Sequence, residues 1–176
     1  MLAFIKLVTR ILAFPVVFSA AAFAPSADIT GWHDLLWGSK KPAVSKALQS
    51  LRVHECRPSA ETACATDSDE LMIEDYRVNG VAYEVHLFFF PRYGLGRVTM
   101  SSDDERDSFR RALSELTGRY GKPGLQSEYD GEREVTRTKW NWAKPHGNLS
   151  LSSEYGEGTN GFFTITYAAR FDENRP

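Results

Sequence analysis

The sequence has only two cysteines and four histidines, no surplus of charge of either sign, and no long uninterrupted apolar stretch. Each shortage excludes something. With 21 Lys+Arg against 23 Asp+Glu, no global positive field exists to offset phosphate repulsion and release counterions, so nucleic acid is not expected as a partner. G-x-S-x-G, H-E-x-x-H and Cys-x-x-Cys do not occur, so no catalytic residue, metal or cofactor is assigned from motifs. What is present is the composition of one globular domain. The 176 residues are 42% hydrophobic and 12% aromatic, too apolar for a disordered tail and too aromatic for a coiled coil.

The first segment, MLAFIKLVTRILAFPVVFSAAAFA, reads as an address. Lys6 and Arg10 precede a mostly apolar run over 11–18, and Ala22-Phe23-Ala24 closes it in an A-x-A pattern, which predicts a secretory signal peptide over 1–24. The run falls short of the about 20 residues a spanning helix needs, and Pro15 interrupts it. Pro25 follows with no cysteine nearby to carry a lipid. The expected product is periplasmic or secreted, without a stable membrane anchor. Export to an oxidising compartment favours a disulfide between Cys56 and Cys64. A rival reading makes His54, Cys56 and Cys64 soft metal ligands, with His86 as a further candidate, although the spacing matches no common zinc module.

Along the remainder, Val44, Ala47, Leu48 and Leu51 recur at helical spacing after Pro42. From Leu71 the period changes to two. Leu71 to Val78, then Asn79-Gly80, then Val81 to Phe90 spell a hairpin, because Asn-Gly supplies the positive φ angles of a two-residue turn. Val81, Tyr83, Val85, Leu87 and Phe89 share its core face, opposite Glu84, His86 and Phe88. Leu95 to Ser101 forms a third strand. Ser102 to Glu105 reads as a capping box for a helix carrying Phe109, Ala112, Leu113, Leu116 and Tyr120 on one stripe, ended by Gly121 and Pro123. Strand patterns then return through Leu125, Trp142, Leu149 and Phe162. This order predicts an α+β domain over 25–170, with an antiparallel sheet of about six strands in two meanders, each preceded by a helix (α-βββ-α-βββ), and a loose tail over 171–176.

Trp37-Gly38-Ser39 followed by Val44 and Leu48, and Leu116 to Tyr120-Gly121-Lys122-Pro123 followed by Trp140, resemble small exported bacterial proteins of uncharacterised function. The order of elements is also similar to that of the beta-lactamase-inhibitor-protein-like fold and its outer-membrane assembly relatives. The resemblance implies a non-enzymatic, protein-binding module.

Candidate sites are few. Gly156 to Gly161 spells G-x-G-x-x-G, but a strand pattern follows it where a dinucleotide site needs a helix. Asp67, Asp69 and Glu70 lack the third acidic position and the glycine of a calcium loop. Arg133, Arg137 and Lys139 project from one strand face and form the candidate docking stripe for an acidic protein or an anionic envelope component. His86 with Glu84 two residues away is the candidate base of a small periplasmic enzyme. The leading expectation is an exported soluble binding module.

Overall fold

Strand patterns with β-branched and aromatic residues occupy more of this chain than helical ones, with two helices among the described residues. The computed structural model describes residues 27–57, 64, 69–103, 106–130, 135–156 and 161–171. The predicted signal peptide over 1–24, Arg133, Asp67, the capping residues Asp104 and Glu105, and the tail from residue 172 lie outside them.

Two short strands, β1 (Gly31–Trp32) and β2 (Leu35–Leu36), pair as a tight hairpin. Helix α1 (Lys41–Ala47) follows with Pro42 in its first turn, where a missing N–H costs nothing. It leads into β3 (Val53–Glu55), β4 (Asp69–Val78), β5 (Val81–Phe90) and β6 (Gly94–Ser102). Helix α2 (Arg106–Tyr120) precedes β7 (Gly124–Asp130), β8 (Val135–Ala143), β9 (Gly147–Gly156) and β10 (Phe162–Ala169). The last eight strands make one antiparallel sheet in the order β3-β4-β5-β6-β10-β9-β8-β7.

This overturns the six-stranded α-βββ-α-βββ expectation. Among the described residues the fold is mostly β, 55% strand against 17% helix, with eight strands in the main sheet and two more in the small hairpin. Each meander holds four strands, not three. Three residues are too few to show a period of two, so β3 is invisible beside the cysteine loop, while the strand pattern at Leu125 is β7, the fourth strand of its meander that a count of about six leaves out.

The local signals that set this frame are strong. Asn79 (φ 52°) and Gly80 (φ 82°) adopt the two positive φ angles of a type I′ turn and close the β4–β5 hairpin at Val78 and Val81. Gly121 (φ 85°) stops α2, its N–H donating to the Thr117 carbonyl. Gly94 (φ 72°) is required by close approach as well as by angle, since a Cβ there would stand 2.4 Å from the Gly38 carbonyl oxygen. Two flanking bonds, Gly38 N–H to Leu95 O and Leu95 N–H to Ser39 O, each 2.9 Å, strap the N-terminal segment to β6.

The core lies on one face of the sheet. Val85, Leu87, Val98, Leu151 and Phe163 are fully buried there beneath Val44 of α1 and Phe109, Ala112, Leu116 and Tyr120 of α2. Phe109 meets Trp140 at 5.0 Å and Phe163 at 5.8 Å between ring centroids. Burying each such side chain contributes roughly 1.5–3 kcal/mol. Phe171, at the end of the described chain, stacks on Tyr93 with ring centroids 4.5 Å apart. On the opposite face His86, Thr99, Thr166 and Ser150 lie abreast on neighbouring strands, and so do Glu84, Ser101, Thr164 and Ser152. That face is a hydroxyl-rich floor, bonded across the junction by Ser101 and Thr164 at 3.1 Å.

Candidate functional site

The β4 strand departs from strict alternation at one point. Between Ile73, opposite Val85, and Tyr76, opposite Tyr83, it carries one residue more than β5, and Asp75 takes a φ of 52°. The extra residue moves Tyr76 and Val78 from the open face to the helix-covered face. Without it, Asp75 and Arg77 would point into the core. Both instead pair in solvent at 2.7 Å.

Tyr76 thereby enters a cleft of about 390 Å³ bounded by α2, the β1–β2 hairpin and the sheet. Leu116, Met100 and Ile165 give it an apolar floor, and Trp32 stands 5.5 Å from Tyr76 between ring centroids. His33, at the hairpin tip with a φ of 56°, bonds through Nε2 to the Tyr76 hydroxyl. His33 thus holds a positive φ at the cleft itself, and Asp75 holds another in β4 next to Tyr76; such strain persists where the surroundings enforce it. The frame is tied at both ends. Trp37 Nε1–H donates to the Ile29 carbonyl at 2.9 Å, and Ala27 N–H donates to the Arg119 carbonyl at 3.1 Å.

Tyr120 and Tyr167 also line the cleft, and neither hydroxyl has a hydrogen-bond partner among the described residues. Burial raises the pKa of Tyr76, Tyr120 and Tyr167, with Glu115 adding to the effect at Tyr120 against Arg119. All three stay protonated and able to donate or accept. Asp34, Glu115 and Arg119 stand at the mouth. Glu115 is held by Asn79 Nδ2–H at 2.9 Å, and the Arg119 guanidinium lies 5.4 Å from the Tyr120 ring centroid. Carboxylates and aromatic faces outnumber the one fixed cation.

The residues expected to act from sequence fall elsewhere. His86 and Glu84 do meet on the open face, Nε2 to Oε1 at 2.6 Å. The partner that sequence reasoning missed is Glu70, which bonds the other ring nitrogen, Nδ1, and whose side chain is 3% exposed. Burial disfavours the charged ring, but bonds to Glu70 and Glu84 outweigh it and raise the His86 pKa. With a carboxylate at each ring nitrogen, the charged imidazolium is favoured over the neutral ring that a general base requires. Beside it the Arg97 guanidinium covers Phe88 at 4.0 Å from the ring centroid.

Cys56 and Cys64 form the expected disulfide. Both sulfurs are consumed, although they and a Glu70 oxygen lie within 4.8 Å of one another, and His54 faces Glu74 at 3.6 Å. Arg137 is neutralised by Glu154 at 2.7 Å, Lys139 is exposed, and both border a depression of about 370 Å³ on the open face. The G-x-G-x-x-G stretch leads into strand β10. Among the described residues no helix is long and apolar enough to cross a membrane. No family model, no curated protein and no solved structure matches the chain.

Proposed function

We propose that the chain is an exported, non-enzymatic binding protein whose helix-side cleft receives an ammonium group on an apolar stem, from a small amine or a partner's lysine side chain. The observation that carries this is the pairing of unpartnered Tyr120 and Tyr167 hydroxyls with aromatic walls and two carboxylates at one mouth. Ring faces attract a cation, phenol oxygens accept its protons, and Glu115 and Asp34 supply the compensating charge. The signal-like N-terminus and the disulfide support an oxidising compartment. The basic stripe is a weaker candidate, because Arg137 already has its counter-charge.

The test is a titration of n-butylammonium followed by tryptophan fluorescence, since Trp32 lines the cleft. Saturable quenching is expected, weakened about fivefold to tenfold by Glu115→Gln, which keeps the shape and removes the charge. Butyrate, of the same length and opposite charge, should give none. A short lysine peptide that binds more tightly than the free amine would assign a protein partner. Equal response to amine and carboxylate would defeat the reading.

A further inference from the structure

The two edges of the main sheet are built differently. At one end β3 is three residues long and runs directly into the disulfide at Cys56, so little backbone is offered for pairing. At the other end β7 offers seven residues, Gly124–Asp130, with β8 on one side and no strand on the other among the described residues. It contains no proline, lysine or arginine, and of its two carboxylates Glu128 already lies opposite Arg137 of β8. Leu125 and Tyr129, on the helix-side face, are each 66% exposed.

The order of residues along β7 is self-complementary. In an antiparallel pairing of two copies centred on Ser127, Leu125 lies opposite the second copy's Tyr129, Gln126 opposite Glu128, and Ser127 opposite itself. Each pair stays on its own face, because the summed positions are even and side chains alternate. The helix-side face gains two Leu–Tyr contacts, and the open face gains two amide–carboxylate hydrogen bonds. Shifting the centre to Glu128 would set like charges opposite one another, and shifting it to Gln126 would separate Leu125 from Tyr129. Charge agrees as well. Within one chain Gln126 neighbours Lys139 and Glu128 neighbours Arg137, so the row across the junction runs Lys139, Gln126, Glu128, Arg137 without adjacent like charges.

We propose that β7 is a self-association edge, where a second copy of this chain adds antiparallel about Ser127 and extends the sheet to sixteen strands with two-fold symmetry. Seven residues bury less than the about 800 Å² per partner of a standard interface, so the dimer dissociates on dilution.

Sedimentation equilibrium of the purified chain from micromolar to millimolar concentration should show a monomer–dimer transition. Gln126→Glu sets two pairs of carboxylates opposite each other between copies while pairing with Lys139 within one, so it should weaken association about fivefold or more without lowering the melting temperature. A cysteine scan reads the register independently. Ser127→Cys should cross-link to itself under mild oxidation, and Gln126→Cys should not, since only position 127 meets its own copy within disulfide reach. A chain monomeric throughout that range, an unaffected Gln126→Glu variant, or equal cross-linking at both positions would overturn the proposal.

Discussion

Glu70 and Glu84 occupy opposite nitrogens of one imidazole, but they differ in how far they are withdrawn from water. The Glu70 side chain is 3% exposed and that of Glu84 53%. Removing a buried member of an ion pair leaves its partner uncompensated, whereas an exposed carboxylate is replaced by solvent. Glu70→Ala is therefore expected to cost about 3 kcal/mol in urea unfolding and Glu84→Ala less than about 1 kcal/mol. The pH dependence has a definite sign. Because folding raises the His86 pKa above its unfolded value, this group's stabilisation is complete below the ordinary histidine range and disappears as pH rises through the folded value. Melting temperatures from pH 5.5 to pH 9 should fall more steeply for the parent than for His86→Gln. Parallel curves would show that His86 is not the group responsible. Pairing of Glu84 with His86 was legible at two-residue spacing on one strand, but Glu70 lies sixteen positions away and becomes a neighbour only through β4–β5 pairing.

Elements show the same division between local and non-local information. The Asn79-Gly80 turn, the buried face from Val81 to Phe89 and the stripe of α2 were readable because each depends on residues a few positions apart. The cleft was not readable, since it requires α2, a two-residue hairpin and four strands to converge. One clue was available: apolar alternation changes phase between Ile73 and Tyr76, which is the signature of the inserted residue in β4. The β1–β2 hairpin left no periodic trace in its two-residue strands, yet it forms the cleft's outer wall. Gly31 makes that wall possible, because a Cβ there would sit 1.9 Å from the Leu35 carbonyl oxygen. Gly31→Ala should force the hairpin apart at a cost of roughly 1–3 kcal/mol and abolish the fluorescence response to n-butylammonium. A variant that melts slightly lower but still responds fully to the amine would show that the hairpin wall does not take part in binding.

Across the whole molecule, two four-stranded meanders depend on one line of pairing. Residues 97–102 of β6 meet 163–168 of β10, joining halves that the chain connects only through α2 and three further strands. Such a contact closes a long loop, an entropic cost that the packing across the junction has to offset. Ile165 lies at this line, 4% exposed, with Met100 opposite it on β6 and Leu151 opposite it on β9. Trimming it to alanine should cost about 2–4 kcal/mol, the range for a large-to-small change in a packed core. How that loss is distributed distinguishes one cooperative sheet from two adjoining units. If α2 and the junction make the sheet continuous, Ile165→Ala will lower the protection of amides in β5 and in β9 by the same free energy in native-state hydrogen exchange. Protection lost in β9 but kept in β5 would mean that the meanders unfold separately. The helix-side cleft, which draws walls from both, would then be the place where they come apart.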